Sequence, residues 1–472
     1  MGGKATGGKG GAGGSGGAAG TGIGTAGSAG SSASGGQGGA TLVLSPATSD
    51  FGNVPFGTTK DVLFTLSNSG PGAASGIART ITGSSGFSLP VPRGNECGST
   101  LGGSNATCSI RVRFTPPGLV GPVTGTLTVM TTNASGPSPV GVSANAYGIF
   151  AVPATPDTQL ATLGGINGAG TAIVGSLQSS DFLGSVGFYW TIGSAAVTVI
   201  PPIPADITSG SAEVISSNGM VVAGISNAGT LWRWALGATT STDLGLPSGS
   251  SLSSPRPAGI DDTGAVIVGD VFNADARADQ GYVWRAATAG FELLGDSTTQ
   301  SVLPDGVSDD GRIVGIQQAF SSGITTGITW ATSGNATQQP GTIVPGNATG
   351  IGGISGDGTV IVGANANGAI KWTTPFTSPP QMLPDLPNAS GSSALGVNKN
   401  GSVIVGGTVV GGNTVVVAWT PGAVSITSAL SGVPNIGSFS LQQATSVSAD
   451  GTIIAGDGTF NGVTVPWVAR LP

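Results

Sequence analysis

The chain contains no histidine and only two cysteines in 472 residues, and its 15 Lys and Arg and 22 Asp and Glu amount to just 8% of it. Without imidazole there is no Ser-His-Asp or Cys-His nucleophile system, no histidine general base and no zinc site built on ring nitrogens. Two cysteines cannot supply a four-thiolate zinc site or a cubane cluster. The net charge of −7, with its few basic residues dispersed, excludes the clustered cationic face that binding a nucleic-acid backbone requires. No run of 18 apolar residues occurs, so no helix of this chain is expected to span a bilayer. Glycine, by contrast, is abundant, at 86 residues. Length alone, at roughly 150 residues per domain, points to two or three domains.

Residues 1–40 hold 19 of those glycines, two charges (Lys4 and Lys9), and Ile23 as the sole large aliphatic residue after Met1. Such a segment buries too little apolar surface to offset its backbone entropy and is expected to be a disordered tether. Its root-mean-square reach is roughly 35 Å. It lacks the apolar core of a secretory leader. Met1-Gly2-Gly3-Lys4-Ala5-Thr6 matches a myristoylation pattern, which a Gly-rich tract satisfies by chance. The more useful expectation is a spacer that attaches the protein to the cell envelope, left behind after a leader is removed.

From Thr41 the pattern changes to period-2 alternation, as in Val62-x-Phe64-x-Leu66 and Ile110-x-Val112-x-Phe114, bounded by Gly, Pro and Asn clusters. These are half-buried strands, and residues 41–147 suit one immunoglobulin-like β-sandwich. Cys97 and Cys108 flank a Gly/Ser/Asn-rich loop, and the second leads into an alternating strand. A disulfide between them is expected, which would place the chain in an oxidising compartment; two buried free thiols are the alternative. The set Asp50-Phe51-Gly52-Asn53-Val54, Phe64-x-Leu66-x-Asn68-x-Gly70, Cys97 to Cys108, Ile110-x-Val112-x-Phe114-x-Pro116 and Gly125-x-Leu127 resembles bacterial choice-of-anchor D modules, relatives of the ASH immunoglobulin-like domains. That resemblance implies an exported structural module without catalytic residues.

Residues 148–472 repeat seven times with a period near 46. One glycine marks each unit: Gly170, Gly219, Gly264, Gly311, Gly358, Gly401 and Gly451. Three positions earlier stands Asn167, Ser216, Asp261, Ser308, Ser355, Asn398 or Ser448, and four positions earlier a Val or Ile. A short apolar run and a second glycine follow, then another apolar run that ends at Trp190, Trp234, Trp284, Trp330, Trp372, Trp419 or Trp467. Ser, Asn or Asp at the first position of a turn and Gly at the fourth is type I turn chemistry joining two strands. Four short strands and one aromatic per unit of this length read as the blade of a propeller, and seven units predict a seven-bladed ring. A linear β-solenoid is the competing architecture. The seventh unit lacks a segment after Trp467, and Phe150–Leu163 is expected to supply it, because Leu160-x-x-Leu163 matches Leu383-x-x-Leu386.

The run Leu160-x-x-Leu163-Gly164-Gly165-Ile166-Asn167-x-x-Gly170-x-x-x-Val174-Gly175, followed by Phe188-x-Trp190, is similar to bacterial extracellular HAF-type repeats, although their His-Ala pair is missing from every unit. With the tether and the anchor-like module, this resemblance implies a protein of the outer surface or exterior of a Gram-negative bacterium.

The seven repeat Trp are expected to pack between blades, one large aromatic filling each interface. Trp232, the single Trp outside the frame, shares a face with Trp234 and has mostly apolar counterparts in the other units, which favours the core; a ligand contact is the alternative. The turn acids Asp261, Asp262, Asp309, Asp310, Asp357 and Asp450 cap turns and do not form the multi-oxygen cage calcium needs. Two acids converging in the central funnel would mark a glycan-active enzyme, but the remaining acids, Asp270 and Asp305 among them, occupy unrelated repeat positions. No cofactor or metal is expected, and no catalytic residues. The reading is a non-enzymatic interaction or adhesion-type protein whose propeller meets an unidentified protein or glycan partner; a carbohydrate-binding or carbohydrate-active propeller is the alternative. The segments between the second Gly and the Trp vary from 8 to 14 residues and mark a binding rim.

Overall fold

In the computed structural model the described residues are 39–119, 121–153, 158–179, 184–204, 206, 208–249, 252–330 and 341–472, so the tether lies almost wholly outside them. The chain is all-β, with a single short α-helix among the described residues, Ile426–Ala429. No helix among the described residues is long and apolar enough to cross a membrane.

Two four-stranded layers come first. Leu42–Ser45, Lys60–Asn68, Ala106–Phe114 and Phe87–Ser88 form one, in that spatial order. Thr48–Pro55, Val140–Ala151, Gly121–Met130 and Ala78–Gly83 form the other. Alternation sends Phe64, Leu66, Ile110, Val112 and Phe114 inward against Phe51, Leu127 and Val142, all buried. Arg111 and Arg113 project the other way and pair with Glu96 and Asp61. Cys97 and Cys108, eleven positions apart, are joined by a disulfide.

In the repeat region, five sheets are each built from four consecutive antiparallel strands. A representative one runs Gly350–Ile354, Val360–Asn365, Gly368–Thr373, Gln381–Met382. The first unit has the same order: Thr158–Ile166, Ala172–Ser179, Ser185–Thr191, Thr198–Val199. The last contains Phe439–Val447, Ile454–Phe460 and Val463–Arg470.

Both repeat glycines have a steric cause. The first adopts a left-handed conformation in all seven units, with φ between +64° and +84°. Its N–H donates to the carbonyl of the Ser, Asn or Asp three residues earlier, closing each turn. That earlier side chain is buried and accepts from a backbone N–H at the start of the second strand, as Ser355 Oγ does from Val360 N (2.9 Å) and Asn398 Oδ1 from Val403 N (2.9 Å). The second glycine faces a bulge in the first strand, where one residue (Gly164, Glu213, Ala258, Asp305, Gly352, Leu395 or Thr445) drops out of register. A Cβ on that glycine would stand about 2 Å from a first-strand carbonyl, as at Gly269 against Arg256 O (2.0 Å), so no larger residue fits.

First strands of successive sheets touch in cyclic order, and the seventh touches the first. The repeat Trp seal these joints. Each packs on the residue that precedes the second glycine of the unit before it: Trp234 with Val174, Trp330 with Val268, Trp372 with Val314, Trp419 with Val362, and Trp190 with Ala455 across the closure.

The closing segment differs from expectation. The strand that completes the seventh sheet is Gly148–Ala151, antiparallel to Trp467–Arg470, with Val152 N–H donating to Pro466 O at 3.0 Å. Leu160 and Leu163 belong instead to the inner strand of the first unit, where Leu160 makes one parallel bridge to Thr464. The Leu pair misled because Leu383 lies just beyond the outer strand Gln381–Met382, whereas Leu160 lies within an inner strand. A second consequence concerns the expected boundary at 147/148. It falls inside the unbroken strand Val140–Ala151, whose first part pairs with Gly121–Leu127 and whose end joins the ring.

Candidate functional site

The first strands surround an axial channel. The β-branched residue of each unit (Ile166, Ile215, Ile260, Val307, Ile354, Val397 and Val447) lines it, around a cavity of about 210 Å³. At one mouth the seven turns form a second ring. Gly168 N donates to Ser217 O, Asn218 N to Asp262 O, Asp309 N to Gly356 O, Asp357 N to Lys399 O, and Ala449 N back to Gly168 O. Lys399 Nζ reaches Asp309 Oδ2 at 2.8 Å, and this contact holds the ammonium above its usual pKa. The pair passes over Gly356, where a Cβ would crowd both partners. The turn acids thus serve the turns: Asp357 and Asp450 each accept from a Ser hydroxyl and from the following Thr, and these bonds keep both carboxyls below the usual range despite partial burial. No group of three or more carboxylates or thiolates placed to hold a metal occurs among the described residues.

Farther along the channel two acids do converge. Arg256, on the inner strand of the third unit, is opposite Asp270 on the next strand. Its guanidinium lies 2.6 Å from Asp270 Oδ1 and 3.6 Å from Asp305 Oδ1, the bulge residue of the fourth unit. Burial pushes the Asp305 carboxyl up to about 7 against the attraction of Arg256, and burial also raises Asp270. Nearby, burial drives the Tyr282 hydroxyl well above its ordinary pKa, and that hydroxyl has no hydrogen-bond partner among the described residues. The seventh unit repeats the arrangement with an amide in place of the guanidinium: Gln443 Nε2 donates to Asp457 Oδ2 (3.1 Å), and Leu163 N to the other oxygen (2.8 Å). Chemically the cluster is two largely buried carboxyls sharing one guanidinium. The guanidinium occupies the space between the carboxylates that an acid–base pair would need for a scissile bond.

At the opposite end from the turns stand the hairpins joining second and third strands. Phe272 on the third unit and Phe320 and Ile324 on the fourth are exposed there, at 39%, 49% and 56%. These residues escaped the repeat-based reading because they lie in the segments of variable length, where large apolar residues at the tips were the available signal.

Trp232 is fully buried in the joint between the first and second units, with Val174, Ile200 and Trp234, which agrees with the core reading over the ligand contact. It offers a ligand no surface; its ring fills the space beside Gly224, which has no side chain to occupy it. The seven repeat Trp are likewise at most 5% exposed.

No protein-family model matches the sequence, and no curated protein matches it. Solved structures do resemble it. Oligogalacturonate lyase from Vibrio parahaemolyticus is 10% identical, over 69% of this chain and 97% of that one, with a TM-score of 0.43. The β-propeller domain of the Trilobed protease from Pyrococcus furiosus is 10% identical over 66% and 94%, with a TM-score of 0.45. YCF48 from Cyanidioschyzon merolae is 12% identical over 68% and 98%, with a TM-score of 0.37. None of these likenesses is close enough to assign a role.

Proposed function

We propose that this chain is a non-enzymatic interaction protein of the bacterial cell surface or exterior, in which a seven-bladed β-propeller of HAF-type repeats offers a binding face. The N-terminal layers are read as an immunoglobulin-like, choice-of-anchor D module that holds the propeller away from the envelope, with the Gly-rich segment as its attachment. The observation that carries the reading is the cluster Phe272, Phe320 and Ile324, exposed on adjacent hairpin tips of one rim. Exposed apolar residues grouped on loops of a rigid scaffold are a feature of binding surfaces. The opposite face is laced by turn-to-turn hydrogen bonds and presents charged turn residues such as Asp357, Lys399 and Asp450.

The position of Arg256 between Asp270 and Asp305 supports a binding role over glycan hydrolysis, because a substrate would have to displace a paired guanidinium. The test is capture from envelope extract together with a glycan array, comparing the unaltered chain with a Phe320→Ser, Ile324→Ser double variant. The unaltered chain is expected to retain a partner that the variant loses. Equal retention by both would remove the rim from consideration, and hydrolysis of any arrayed glycan would overturn the non-enzymatic reading.

A further inference from the structure

The sixth unit departs from its repeat outside the sheet. Between its outer strand Ala423–Ser425 and the next inner strand Phe439–Val447 lie 13 residues, where the fourth unit has 2 and the fifth has 6. This insert holds the one α-helix among the described residues, capped by Ser425 Oγ, which accepts from Ser428 N at 3.3 Å. Its Ile426, Leu430 and Val433 are at most 2% exposed, and they share a core cluster with Tyr147 and Ile149.

Tyr147 belongs to the N-terminal sheets, where it is paired with Pro55. Both lie against the insert at Gly432: a Cβ there would stand 2.7 Å from Tyr147 Oη and 4.0 Å from Pro55 Cγ. Two further contacts surround the strand that crosses between the two parts. Phe56 meets Phe150 edge to face at 4.5 Å, and the Phe56 N–H donates to Tyr147 O at 2.7 Å. Leu119, 8% exposed, joins the cluster of Val152, Trp190 and Val468 between the seventh and first units. Gly148 separates the two, since a Cβ there would be 3.0 Å from Phe56 and 3.4 Å from Leu119. At Gly121 a Cβ would collide with the Arg470 guanidinium.

A lone crossing strand fixes the position of two bodies and leaves them free to twist. Apolar, close-packed contacts around that strand remove the freedom, because parts joined by such a surface do not move separately. We infer that the insert Ile426–Ser438 is a docking platform for the N-terminal sheets, and that these sheets and the repeat ring move as one body. The direction of the hairpin rim, relative to the start of the N-terminal sheets, is then set by the fold. A spacer of the kind proposed above requires no such fixed direction, and the fixed direction does not depend on what the rim binds.

Amide residual dipolar couplings of the full chain, labelled with ²H and ¹⁵N and weakly aligned in one medium, test this. One alignment tensor is expected to fit both the strands of residues 42–147 and those of residues 158–472. A tensor of clearly smaller magnitude for the N-terminal strands would mean independent motion and overturn the proposal. Phe56→Ala, Leu119→Ala and Tyr147→Ala combined remove the side-chain contacts and keep the backbone pairing. In that variant the N-terminal strands are expected to lose the common tensor while the ring retains it. If the folded triple variant still shows one tensor, the strand alone holds the parts together, and the platform is overturned. The measurement on the unaltered chain stands even if the triple variant does not fold. Neither readout involves Phe320 or Ile324, so failure here is separate from failure of the rim.

Discussion

Phe150 is paired with Val468, so the strand leaving the N-terminal sheets ends on the outer edge of the strand Val463–Arg470. One antiparallel contact therefore closes the ring and fastens the two parts of the molecule together. Ile149 and Ala469 are neighbours in the same register, both fully buried.

An Ile149→Cys, Ala469→Cys variant is expected to form a second disulfide in addition to Cys97–Cys108. Intact-mass measurement under non-reducing conditions should show four thiols oxidised, and the cross-link should raise the urea midpoint. Recovery of two alkylatable thiols at these positions would mean the ends are apart, as in a linear solenoid.

Turn substitutions should separate conformational cost from crowding. Gly358 and Gly229 both have positive φ, +72° and +80°, but a Cβ at Gly358 meets Asp310 Oδ1 at 2.9 Å while one at Gly229 meets nothing within 4 Å. Gly229→Ala is expected to cost about 1 kcal/mol in equilibrium unfolding, and Gly358→Ala clearly more. Ser355→Ala, which strips the cap from the Thr359 and Val360 N–H groups, should cost about 1–2 kcal/mol.

The Asp305 carboxyl keeps its proton in the folded chain up to about pH 7, whereas in the unfolded chain it loses it near 4. Between those values the folded state binds the extra proton, so stability falls as pH rises through the window and is level above it. Asp305→Asn removes this dependence. Its unfolding free energy should match the unaltered chain at pH 4 and exceed it at pH 8, by an amount bounded at roughly 4 kcal/mol. A variant less stable at pH 8 would show that the Arg256 pairing outweighs the burial.

Replacing Cys97 and Cys108 together by Ser reopens a short loop in the N-terminal layers. The chain-entropy model sets the loss at about 3 kcal/mol. Urea unfolding of the double variant, against the oxidised chain, measures it.

The repeat frame was legible because its parts are local: the Ser, Asn or Asp, the left-handed Gly three residues on, and the Trp ending a strand all act within one unit. The Arg256–Asp270–Asp305 cluster was not. Its members occupy an inner strand, the strand beside it, and a bulge in the following unit, so that only the curvature of the ring brings them together. Trp232 departs from the frame, yet its indole fills the space beside Gly224, as its mostly apolar counterparts in the other units imply. The closing strand was located only approximately, since four residues at Gly148–Ala151 carry no repeat signature and derive their place from the open edge they cover.

That same strand imposes an order on biosynthesis. Val140–Ala151 emerges from the ribosome before any repeat, but the partner of its last four residues is made only after the other units are complete. At roughly 5–20 residues per second the wait is on the order of tens of seconds. Throughout it the strand end presents an open hydrogen-bonding edge, the kind of group through which chains aggregate. Premature termination before Trp467 would leave that edge uncovered for good, so loss of these few residues should be as damaging to the yield of folded protein as loss of an entire repeat.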